Sequence, residues 1–131
     1  PERFLETYYV LTELVRALGD KPDARGAEGV GRLVAQLHTM RRMSVSVAGM
    51  LEAGKDPTVE ASIVKDIGTL WEQALPSQVR TLAAFIDEEP GNKRPLAESV
   101  AYAQKVAPKL TIQGGTTEVL RGIIARGLGL R

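Results

Sequence analysis

The chain has 131 residues, the size of one domain, and its 17 Lys and Arg residues nearly balance 16 Asp and Glu residues at a net charge of +1. No stretch concentrates positive charge as a nucleic-acid-binding or membrane-binding surface requires. The chain has no cysteine, which excludes disulfides and Cys-based metal sites, and no apolar run approaches the roughly 20 residues of a membrane span.

The first two predicted helices follow from apolar residues that recur every three or four positions. The first occupies residues 4–18 and ends at a loop, residues 19–26, that contains a proline and two glycines. The second occupies residues 28–51. Its second half includes Ala48 and Gly49, small residues that allow a neighbouring helix to come close.

The third predicted helix follows Gly54, which is expected to cap the helix before it. Asp56 and Pro57 have the residue types of an N-cap and a first helical position. The apolar pattern continues to about residue 87. Pro76 is predicted to kink or interrupt this helix, because proline lacks the backbone donor and its ring clashes with the preceding turn.

The remaining chain predicts a polar connection and two more helices. Residues 88–95 are polar and rich in turn-forming residues. Leu96 lies near the start of a fourth helix that Pro108 is expected to stop, and residues 119–128 form a fifth. Because no segment alternates with period two, we predict an all-α fold: residues 1–131 form an up-and-down four-helix bundle with a short C-terminal helix.

Several kinds of chemistry are excluded by residue type. The single histidine, His38, has Ala35 three positions before it, so the paired Glu-x-x-His motifs of a di-iron bundle are absent. No serine lies in the Gly-x-Ser-x-Gly turn of a hydrolase, and neither a dinucleotide-binding glycine motif nor a P-loop lysine is present. We therefore predict no metal site. The cysteine-free composition suits a cytoplasmic location.

A glycine-threonine turn before the fifth helix is the first candidate site. Gly114 and Gly115 would let the backbone approach a ligand closely, and the helix that follows presents free N–H groups and the positive end of its dipole. The alternative is an ordinary tight turn in which Thr116 or Thr117 caps the helix. The spacing is compatible with both interpretations.

Glu2 is the second candidate. It stands at the start of the first helix and is followed by apolar and aromatic residues. A glutamate in an apolar cavity has a raised pKa and can abstract a proton near neutral pH. The alternative is an ordinary first-turn acid that the helix dipole favours.

Residues 113–131 read QGGTTEVLRGIIARGLGLR and closely resemble the terminal signature of the acyl-CoA dehydrogenases, Gly-Thr-Ser/Thr-Glu/Gln-Ile-x-Arg-x-x-Ile-Ala followed by Leu-Gly-Leu. Residues 53–65 look like the family's connection between two long helices. Glu2 and Arg3 are similar to the Glu-Arg pair that opens the terminal domain in the isovaleryl-CoA and long-chain branches. The resemblance spans the chain and implies the C-terminal domain of a longer flavoprotein, which the start at Pro1, without a methionine, also favours.

The resemblance implies an FAD-dependent oxidoreductase of fatty acid metabolism that oxidises an acyl-CoA to a 2-enoyl-CoA. Glu2 would be the base, because Gly114 stands where many members carry it, and Arg3 and Gly115 would bind the substrate. The residues implied to bind FAD are Thr116, Thr117 and Glu118. Implied partners are electron-transfer flavoprotein and like or related dehydrogenase subunits in an oligomer, and the isolated domain is expected to be inactive.

Three family motifs are not recognisable in this chain: Arg-x-x-Phe-Gly between the first two helices, Gln-x-x-Gly-Gly-x-Gly-Tyr after the third, and Arg-Asp before the terminal signature. A second hypothesis follows from these departures. It makes the chain a catalytically silent structural or assembly subunit of a dehydrogenase complex, which packs through an apolar surface around Trp71, Leu75 and the terminal helix. A third hypothesis is a free-standing helical bundle without a cofactor.

Overall fold

The computed structural model describes residues 6–86 and 94–130, which form five α-helices. The helices are α1 (Tyr8–Leu18), α2 (Ala24–Glu52), α3 (Thr58–Ala83), α4 (Arg94–Ile112) and α5 (Thr117–Gly127). The described residues contain no strand, so the predicted all-α class is confirmed.

Helix α3 is the central element, because it contacts each of the other four helices. The hydrophobic core forms where α1, α2 and α4 pack with α3. Its buried members include Val10, Leu14, Leu33, Met40, Trp71, Leu75, Val79, Val100 and Ala103. Removal of these side chains from water is the main term that stabilises the fold. Helix α5 packs against α3 and buries Leu120.

Local capping interactions explain where α2 begins and ends. Helix α2 begins earlier than the apolar spacing predicted, because the Asp23 carboxylate accepts the backbone N–H of Gly26 at 2.7 Å and acts as an N-cap. After α2 the chain reverses at Gly54, which has a φ of 69°. The N–H of Lys55 donates to the carbonyl of Met50 at 2.9 Å, as in a helix-terminating glycine motif.

Two prolines lie inside helices without ending them. Helix α3 continues through Pro76, so of the two predicted effects, a kink or an interruption, the interruption does not occur. Helix α4 continues through Pro108 to Ile112, so the predicted stop is wrong. Contacts with α3 hold the last turns of α4 in place: the Lys65 ammonium donates to the carbonyl of Leu110 at 3.3 Å, and the Leu110 side chain is fully buried. This tertiary packing offsets the unfavourable local effect of proline.

Two glycines of α5 give a matched test of the packing of α5 on α3. A Cβ atom at Gly127 would overlap Cγ2 of Val59, whereas one at Gly122 would meet open space. Because valine is stiff at χ1, we expect Gly127→Ala to lower the free energy of unfolding by about 1–3 kcal/mol. Gly122→Ala should raise it by about 0.5–1 kcal/mol, since alanine favours a helix interior. Urea denaturation of both variants measures the difference, and effects of the same sign would contradict this packing.

Candidate functional site

The turn between α4 and α5 adopts a conformation that requires glycine. Gly114 and Gly115 have φ angles of 76° and 104°, values that residues with a Cβ atom rarely adopt. A Cβ atom at Gly115 would also lie 3.4 Å from Cδ2 of Leu120 on α5. The tight turn of the alternative interpretation is therefore present, and it leaves two consecutive backbone units without side chains.

Thr116 is the N-cap of α5, and Thr117 is the first helical residue. The Thr116 hydroxyl accepts the N–H of Val119 at 3.4 Å, and its carbonyl accepts the N–H of Leu120 at 2.9 Å. Of the two threonines that the sequence offered as caps, the structure selects Thr116. The cap fixes the angle at which the glycine turn enters the helix.

Glu118 places a negative charge at the start of α5. Its own backbone N–H and then the Thr116 hydroxyl donate to the carboxylate, and these contacts, with the charge of Arg121, hold its pKa below the usual value. The acid is therefore ionised at neutral pH and already complements the positive end of the helix dipole. A phosphate at this helix end would be repelled by Glu118, so the turn favours a neutral polar group over an anion.

An ion pair anchors α5 to α3. Nε of Arg121 donates to Oδ2 of Asp66 at 3.2 Å, and the Asp66 side chain is largely buried while that of Arg121 stays mostly exposed. Because Arg121 lies one turn after Thr117, this contact sets the position of the glycine turn relative to α3. The sequence does not predict this pair, because an Asp in the third helix gives no indication of a partner 55 residues away.

The predicted base Glu2 and the predicted substrate residue Arg3 lie outside the described residues. Glu6, a described residue shortly after them, shows which part of the fold lies next to the start of α1. The Glu6 carboxylate lies 3.5 Å from the Lys109 ammonium, near the end of α4. The start of α1 and the last turn before Gly114 are therefore neighbours.

Glu72 is a buried carboxylate that sequence analysis missed. It lies on α3 with no solvent exposure, and the Thr7 hydroxyl, just before α1, donates to its Oε1 at 3.3 Å. Its position between Trp71 and Leu75, within the apolar arc of the third predicted helix, could have predicted that it is buried. A buried carboxylate has to be hydrogen-bonded or paired, so Glu72 helps to fix the start of α1 on α3.

An open groove of about 430 Å³ runs between α2 and α3. Its lining includes Met40, Met43, Ile67, Leu70 and Trp71, and no lining residue is ionisable. The indole N–H of Trp71 donates to the Gln36 side chain at 3.1 Å. The groove therefore offers apolar contact and no acid–base chemistry.

Trp71 and Leu75 do not themselves form the partner surface that was predicted around them and the terminal helix. Trp71 is 7% exposed and Leu75 is fully buried, because both belong to the core that α3 forms with α1, α2 and α4. The accessible apolar side chains of this predicted surface include those of Ile67 and Leu70 on α3 and of Val119 on α5. An assembly surface has to use apolar side chains that remain exposed.

Within residues 6–86 and 94–130 no group of three or more His, Asp or Glu side chains could hold a metal ion. None of the described helices is long and apolar enough to cross a bilayer. Comparisons of the chain with protein-family models, with curated proteins and with solved structures found no match. The terminal segment and the geometry around it are therefore the features that point to a function.

Proposed function

We propose that the chain is the C-terminal domain of an FAD-dependent acyl-CoA dehydrogenase, with its helices arranged as an up-and-down bundle. The reaction removes the α-proton of an acyl-CoA and transfers the β-hydrogen as a hydride, which leaves a 2-enoyl-CoA. Glu2 takes the proton. Bound FAD would supply the acceptor for the hydride and its electron pair.

The contact between Glu6 and Lys109 is the observation that carries this proposal. Glu2 precedes Glu6 by four residues, which span at most about 14 Å even when extended. Gly115 follows Lys109 by six residues, three of which continue α4. Both candidates are therefore within reach of one substrate bound at this end of the molecule.

The glycine turn suits the carbonyl of a thioester better than it suits a phosphate. Gly115 has no side chain to block its backbone, and a donor N–H there can polarise a substrate carbonyl, which acidifies the adjacent α-proton. Glu118 discourages an anion at the start of α5. Thr116, Thr117 and Glu118 would then hold a neutral part of the flavin in preference to its pyrophosphate.

Anaerobic titration of the full-length protein with acyl-CoA thioesters tests the proposal. We expect a yellow protein whose flavin absorbance is bleached by at least one member of a series from short to long and from straight to branched chains. Mass spectrometry should find the corresponding enoyl-CoA, lighter by two hydrogen atoms. A protein that takes up no flavin when FAD is supplied, or a flavin that no thioester bleaches, would rule out this function.

A catalytically silent assembly subunit is the second candidate. It is favoured by large apolar side chains that remain exposed among the described residues, including Val45, Leu51, Ile67, Leu70, Ile112 and Val119. It is also favoured by the three flavin-associated motifs that this sequence lacks. Purification without flavin, together with a second dehydrogenase-like chain, would support this candidate, and a flavin-loaded homomer would exclude it.

A further inference from the structure

The last turns of α2 form a helical segment, with an uncharged centre, that the rest of the chain covers only in part. Residues 43–51 contain no charged side chain, whereas Arg41 and Arg42 precede them and Glu52 follows. Buried side chains of α2 end at Met40, and none of residues 41–52 is buried. An apolar helical segment of this length in contact with water is typical of an interaction surface.

One stripe of this segment points away from the core of the chain. Arg41, Val45, Ala48 and Glu52 follow each other at intervals of four, three and four, which places them on one helix face. All four are exposed, and Val45 is 59% exposed. A Cβ atom built at the adjacent Gly49 meets nothing within 4 Å.

The charges at the two ends of the stripe are complementary under a two-fold axis. An antiparallel pair of α2 helices centred between residues 46 and 47 places Arg41 opposite Glu52 of the second copy, and Val45 opposite Ala48. The same contacts then occur twice. Neither Arg41 nor Glu52 forms an ion pair with any residue in the described part of the chain. A parallel pair would instead bring like charges together.

We propose that two copies of this chain associate through residues 41–52 of α2, packed antiparallel across a two-fold axis. Ala48 allows the two helix axes to approach closely at the centre, Val45 supplies the apolar contact, and the two ion pairs between Arg41 and Glu52 fix direction and register. A single helix pair of this length lies at the small end of specific interfaces, so dissociation in the micromolar range is expected. The dimer does not depend on the proposed flavin chemistry.

Charge reversal on the full-length protein, followed by sedimentation equilibrium, tests the pairing. Arg41→Glu and Glu52→Arg should each raise the dissociation constant of this contact about tenfold or more, because each replaces two attractions with two repulsions. An equimolar mixture of the two variants should restore association, since every contact in the mixed dimer again joins an acid to a base. If other surfaces also join subunits into a larger oligomer, the α2 contact joins its two halves, and its loss should halve the mass measured by sedimentation.

Arg32→Glu is the matched control, because it makes the same charge change on α2 outside the proposed contact. Arg32 pairs with Glu28 on the solvent-exposed side of the helix, so its reversal should leave the dissociation constant unchanged. Circular dichroism verifies that each variant keeps its helices. Three results would each overturn the proposal. They are a wild-type protein that does not self-associate in sedimentation equilibrium, an unchanged dissociation constant for Arg41→Glu, and an equimolar mixture of the two variants that fails to associate.

Discussion

Glu2→Gln is expected to slow bleaching of the flavin by an acyl-CoA by about 10²- to 10⁴-fold. Glutamine keeps the shape of the side chain and cannot accept a proton, so the α-proton has no base while the thioester still binds. Anaerobic stopped-flow spectroscopy measures the rate, and the flavin content and the dissociation constant for the acyl-CoA should stay close to the wild-type values. A lower rate with unchanged binding would identify a proton-transfer step and not a folding defect.

Glu13→Gln provides the control, because it makes the same chemical change at a described residue of α1. Glu13 forms an ion pair with Arg16 one turn away on α1, and such pairs near the surface contribute little to stability. Its bleaching rate should equal that of the wild type. An unchanged rate in Glu2→Gln would remove Glu2 from the mechanism, and an equal loss in both variants would indicate that α1 acts only as a structural support.

Features that depend on a few neighbouring residues were predictable from the sequence. The apolar spacing located the helices, and the end of α1 and the reversal at Gly54 follow from residue types within one or two turns. The cap at Thr116 is equally local. The early start of α2 is also a local effect, because Asp23 caps the helix. It was not predicted, because the apolar pattern alone does not show capping residues.

Features that depend on distant residues were not predictable in this way. The position of Pro108 predicted a helix end, and tertiary contacts such as that of Lys65 with the Leu110 carbonyl hold α4 past it. A wide apolar arc indicated that Trp71 and Leu75 are buried, but it did not show that the covering helices belong to the same chain. The contact between Glu6 and Lys109, which supports the proposed substrate site, joins residues at opposite ends of the sequence.

Leu75→Ala is expected to lower the free energy of unfolding by about 2–5 kcal/mol, through lost burial and through the cavity left behind. Leu75 is fully buried at the centre of α3, where α1, α2 and α4 all contribute to the core, so no single neighbour can move to fill the space. This loss is a large part of the roughly 5–15 kcal/mol that stabilises a typical domain. In urea denaturation it should appear as a lower midpoint with an unchanged slope.

Leu70→Ala separates burial within the chain from burial in an assembly. Leu70 lies on the same helix and is 45% exposed, so the same truncation should cost less than about 1 kcal/mol. Measurement of both variants at several protein concentrations then decides between two explanations of the exposed apolar side chains. A cost at Leu70 that grows with protein concentration would mean that another subunit covers the groove between α2 and α3, whereas a cost as large as that of Leu75 at every concentration would contradict the exposure of Leu70.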